Sequence, residues 1–184
     1  MTAQRLVLDE QDLGQTSYHD FLDSIRHSMD PNSNSVLLVD DEKSIRMKVA
    51  RDVRLSDPKL AIYQASNGRE ALEQLVLIRA KHVHDPLLIV LDLNMPVMDG
   101  WAVIDALKKE YEAAGRKSGI PIVVLSSTTG EKGGLFRKTS VHEGKSGYTP
   151  LVAIAKESCV DNRRYDAAGE QGLMAWLKHF VKQA

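Results

Sequence analysis

The chain of 184 residues holds one cysteine, Cys159, so it forms no internal disulfide, and a lone semi-buried thiol is given no chemical role. It has no apolar run approaching the roughly 20 residues that a membrane helix needs. Neither sign of charge is in excess: 24 lysines and arginines face 25 acids, a net charge of -1. That balance lacks the basic surplus that contact with a nucleic-acid backbone requires. The opening "MTAQRLVLDEQDLGQ" has neither a basic start nor a continuous apolar stretch, so the expected location is cytoplasmic. What is there is 43% hydrophobic and 27% charged, the balance of a globular chain long enough for one full core. Partners are expected to be proteins, with no direct nucleic acid and no membrane.

Two periods alternate along the chain. "SVLLVD" (35–40), "LAIYQAS" (60–66), "PLLIVLD" (86–92), "IPIVVLSS" (120–127) and "PLVAIA" (150–155) are short, continuously apolar and rich in β-branched residues, as strands buried on both faces are. Between them, helical spacing places Ile45, Val49 and Val53 on one stripe, Ala71, Leu72, Leu75 and Ile78 on a second, and Trp101, Ile104, Ala106 and Leu107 on a third. A last stripe, Leu173, Met174, Trp176, Leu177, Phe180 and Val181, predicts a final amphipathic helix. Strands alternating with helices imply right-handed crossovers, a parallel sheet covered on both faces and a functional crevice at the carboxyl ends of the strands.

Chemistry-bearing residues gather at those ends. Asp40 and Asp41 close the first strand, Asp92 the third and Ser126 with Ser127 the fourth, while Lys156 follows the fifth. If the strands are neighbours, three carboxylates converge and repel unless a cation neutralises them. Oxygen-only ligands in a partly open site suit Mg²⁺. Beside such an ion, an ionised Asp92 can attack phosphorus, with Lys156 and Ser126 stabilising the phosphoryl oxygens.

"VLLVDDE", "ASNGREAL", "VLDLNMPVMDG" and "PIVVLSS" resemble, in order and spacing, the receiver domain of two-component response regulators. The resemblance covers roughly residues 35–184. It implies an α/β, doubly wound, five-stranded parallel sheet of order 2-1-3-4-5, the flavodoxin-like receiver fold. It further implies Asp92 as phosphoacceptor, Mg²⁺ held by Asp40, Asp41, Asp92 and the backbone carbonyl of Asn94, Ser126 as switch hydroxyl and Lys156 as counter-charge to the phosphate. The phosphodonor it implies is a phosphohistidine on a sensor histidine kinase or phosphotransfer protein. Four departures accompany it. Glu157 stands where a proline usually follows the lysine, and Ala153 where a switch aromatic is common. The segment "TTGEKGGLFRKTSVHEGKSGYT" (128–149) is long and rich in glycine, and residues 1–34 form an extension. In that extension Tyr18, Phe21, Leu22, Ile25 and Met29 share a stripe, so a short amphipathic helix packed on the domain is expected, with "DPNSNS" as linker. Aligning Trp176 with the lysine position is rejected because it leaves no final helix.

The expected function is a single-domain response regulator, not an enzyme, with no length left for an output module, signalling by contact with a downstream protein and with homodimerisation open. The alternative is a phosphorylation-independent scaffold. A hydrolase using Asp92 is disfavoured, since Asn94 stands where a general acid belongs. "TSVHEGKS" (139–146) imitates a phosphate-binding loop but precedes a strand where such a loop must follow one. His82 and His84 lack a third ligand at useful spacing and read as solvated surface.

Overall fold

The computed structural model describes residues 28–126, 148 and 151–155. Within them strands β1 (Ser35–Val39), β2 (Ala61–Ala65), β3 (Leu88–Asp92), β4 (Ile122–Ser126) and β5 (Leu151–Ala155) accompany helices α1 (Lys43–Ser56), α2 (Gly68–His82) and α3 (Gly100–Ala113). All strand pairs are parallel and the order is β2-β1-β3-β4-β5, as the resemblance implies. The final helix, the segment 128–149 apart from Tyr148, and the extension up to residue 27 lie outside the described residues. Met29, last of the extension's apolar stripe, packs half-buried against the core.

Successive side chains of a strand enter opposite faces, which builds two cores from one sheet. Leu37, Val39, Ile89, Leu91, Ile122 and Val124 meet Leu75 and Ile78 of α2 and Val103 and Leu107 of α3. Val36, Leu38, Leu88, Val90, Val123 and Leu125 meet Ile45, Val49 and Val53 of α1. Each such side chain, fully buried, contributes roughly 1.5–3 kcal/mol. β2 departs from the expectation of burial on both faces: four of its five residues are half-buried or exposed. The physical reason is its place, at the edge of the sheet with β1 as its partner strand.

Helix α3 differs in its stripe. Trp101 is exposed and Ala106 half-buried, and the buried face is Gly100, Val103, Ile104, Leu107 and Tyr111. Trp101 and Ala106 flank a stripe that Val103 and Tyr111 complete. The helix ends on Gly115 at φ +69, with Gly115 N donating to Glu112 O at 3.0 Å and Arg116 N to Tyr111 O at 2.9 Å. That pair of bonds satisfies terminal carbonyls, and the Arg116 guanidinium lies 4.8 Å over the Tyr111 ring as the accompanying contact.

Candidate functional site

β1 and β3 are neighbours in register, Val39 opposite Leu91, so the residues that follow emerge at one sheet edge. Asp40 comes directly after β1 and Asp92 ends β3. The Asp40 amide continues the ladder toward β2 by donating to Ala65 O at 3.1 Å, and its Oδ1 accepts from Glu42 N at 2.8 Å. Asp92 Oδ1 accepts from the amide of Asn94 at 3.1 Å. Carboxylate oxygens of Asp40, Asp41 and Asp92 all lie within 4.8 Å of one another. Asp40 is 2% and Asp92 1% exposed, while Asp41 faces solvent.

Two carboxylates at that separation repel by about 3 kcal/mol at an effective dielectric near 20. Buried oxygens on two sides and an exposed one on the third make a hard, all-oxygen donor set with an open face. The set fits a divalent cation that keeps several waters, which is the preference of magnesium. Asp99, though close in sequence, is not among these acids: it caps α3, accepting from Ala102 N at 2.8 Å.

The turn between Asp92 and α3 is held tightly. Gly100 N donates to Leu93 O at 3.0 Å, and a Cβ on Gly100 would collide with the Asp92 carbonyl and stand 2.8 Å from Leu93 Cα. Glycine here is a requirement of close approach. Met98 N bonds Pro96 O at 2.8 Å across Val97, which is forced to φ +69. Gly68 N at the start of α2 donates to Met98 O at 2.8 Å, joining this turn to the end of β2.

Residues 36–135, more than half of the chain, match the family model of the response regulator receiver domain. The chain belongs to that family. Relatives of this receiver include a protein-glutamate methylesterase/protein-glutamine glutaminase of Nocardioides sp., 34% identical over 119 residues that cover 64% of this chain and 29% of the relative. The nitrate/nitrite response regulator protein NarL of Escherichia coli is 32% identical over 139 residues, 76% of this chain and 57% of NarL. The receiver chain thus matches only part of these relatives, from under a third to somewhat over half of their lengths. Among solved structures, the signal receiver domain of a DNA binding response regulator protein from Colwellia psychrerythraea is 17% identical. It has a TM-score of 0.50 and covers 73% of this chain and 98% of its own, a likeness of fold.

Of the residues singled out from the sequence, Asp40, Asp41 and Asp92 are brought together. Asn94 is exposed and adjoins Asp92 through its amide. Ser126 ends β4, one residue beyond Leu125, which pairs with Asp92, and opposite Ala155 of β5. Lys156 and Glu157 lie outside the described residues. His82 and His84, read as solvated, are half-buried: Tyr63 Oη lies 2.8 Å from His82 Nε2, and His84 Nδ1 lies 2.6 Å from Asp30 Oδ2. No third metal-ligating side chain joins them among the described residues. The sequence reading passed over Arg46, whose guanidinium reaches the loop of the acids. An arginine one turn into a basic helix carries no signal that separates it from surface charge.

Proposed function

We propose that this receiver accepts a phosphoryl group on Asp92 from a phosphohistidine of a sensor histidine kinase or phosphotransfer protein, and signals through contact with a downstream protein. The observation that carries the reading is the convergence of Asp40, Asp41 and Asp92 within 4.8 Å, two of them buried at the carboxyl edge of the sheet. Asp40, Asp41, Asp92 and the Asn94 carbonyl would hold Mg²⁺, which when bound offsets the negative charge of the carboxylates and of the incoming phosphoryl oxygens. An Asp92 oxygen forms the new bond to phosphorus as the bond from phosphorus to the histidine nitrogen breaks, and the departing imidazole keeps that electron pair. Burial keeps Asp92 away from bulk water, and the bond from Asn94 N holds one of its carboxylate oxygens in place. Ser126 and Lys156 are assigned to the phosphoryl oxygens, and a hydroxyl drawn toward the new dianion is the local change that biases the loop after β4. Residues 1–34 are read as an extension and residues 35–184 as the receiver, working in the cytoplasm. In this reading the chain is a phosphoacceptor switch, with Mg²⁺-dependent self-phosphorylation and self-dephosphorylation as its own chemistry.

Incubation with a small phosphodonor and Mg²⁺ tests the reading. The switch predicts an acid-labile phosphoryl group on the wild type that Asp92→Asn lacks. A chain that takes up none would be a scaffold, and continuous turnover of phosphomonoesters would make it a hydrolase; either result overturns the proposal.

A further inference from the structure

Arg46 lies within the first turn of α1 and reaches back over the loop that carries Asp40 and Asp41. Its Nη1 donates to the Asp40 carbonyl at 2.5 Å, and its Nε to Gln64 Oε1 of β2 at 3.3 Å. Asp40 is consequently held at three points: its amide by Ala65 O, its carboxylate by Glu42 N and its carbonyl by Arg46. The third point matters most for the neighbour. That carbonyl belongs to the peptide unit joining Asp40 to Asp41, so fixing it fixes the backbone from which the exposed Asp41 carboxylate extends. Glu70 Oε2, within range of the Arg46 charge, accepts from Ser66 N and Ser66 Oγ, each at 2.8 Å. Those bonds hold the Glu70 carboxyl below the usual range, with the charge of Arg46 adding to them.

We propose that Arg46 is a positioning residue for the acidic cluster: its guanidinium fork locks the peptide between Asp40 and Asp41 so that both carboxylates meet Asp92, and thereby sets the affinity for a divalent cation. The inference rests on reading the three acids as a magnesium site. Two effects of this side chain oppose each other. As a positive charge near the acids it repels the metal; as a fork it arranges the ligands. Magnesium demands near-ideal octahedral geometry, so ligand placement dominates. A lysine at the same position keeps the charge and loses the planar fork that serves two acceptors at once.

The test is calorimetric titration of the full chain with Mg²⁺, in wild type, Arg46→Ala, Arg46→Lys and Gln64→Ala, with circular dichroism and thermal midpoints to establish folding. Arg46→Ala is expected to weaken binding about 10-fold, as loss of an outer partner of a metal ligand does. Arg46→Lys and Gln64→Ala are expected to weaken it by less. Charge alone predicts the opposite sign for Arg46→Ala and no change for the other two. Folded Arg46→Ala that binds Mg²⁺ as tightly as wild type, or more tightly, overturns the inference. Should that variant fail to fold, wild-type affinity in both Arg46→Lys and Gln64→Ala overturns it. A wild type that binds no Mg²⁺ overturns the magnesium reading itself, which keeps the two failures apart.

Discussion

Val83 and Val97 are β-branched residues held at φ +62 and φ +69, a region that costs an L residue roughly 1–2 kcal/mol. Val83 is 81% exposed and closes α2 through its amide on Arg79 O, so its side chain gains little there to offset the strain. Val83→Gly is expected to raise stability by about 1 kcal/mol in urea unfolding. Gly100 shows the reverse case: Gly100→Ala pushes a methyl into the Asp92 carbonyl and is expected to cost about 1–3 kcal/mol and to slow phosphorylation together with it. Both measurements separate backbone conformation from packing. The acids were legible because carboxylates at the end of buried strands have no packing reason to be there. Val83, Val97 and Arg46 were not, since each acts through a backbone angle or a backbone carbonyl, and neither leaves a periodic pattern.

At the scale of elements, periodicity located every described strand and helix, because burial of alternate residues in strands and of one stripe in helices is what stabilises them. It failed where burial depends on neighbours. β2 has the composition of a central strand and the exposure of an edge, and α3 turns Trp101 outward because Val103 and Tyr111 take the core positions. Caps are a local matter and are testable alone. The Asn67 side chain accepts from Glu70 N at 3.0 Å at the start of α2, so Asn67→Ala is expected to cost about 1 kcal/mol of stability, read from the urea midpoint with an unchanged slope. The same helix start is tied to the Asp92 turn through Gly68 N, so the loss should reach that turn as a change in its amide resonances.

Across the whole molecule, the end of the sheet opposite the acids is closed by polar and aromatic groups. Tyr148 Oη donates to Ile120 O at 2.8 Å, and its ring meets Tyr111 edge-on at 6.3 Å. Burial, with the charge of Asp85 adding to it, pushes the Tyr111 phenol up to about 12; burial drives Tyr148 well up as well. Between pH 10 and 12 the unfolded chain has lost these protons while the native state keeps them, so stability falls as pH rises through that window. Thermal midpoints should therefore decline across it, and Tyr111→Phe should flatten the decline. Arg79 bridges Asp85 at 2.6 Å and Glu110 at 2.7 Å at this same end, where none of the three acids stands. Sequence order alone separated the two ends, since every strand runs the same way. The measurement that reaches the central claim most directly is mass-spectrometric mapping of the phosphoryl group after exposure to a small phosphodonor, with Mg²⁺ and with chelator. One modified site in the peptide of Asp92, formed with Mg²⁺ and absent with chelator, is the predicted result. Modification elsewhere, or equal yield in chelator, would contradict the account.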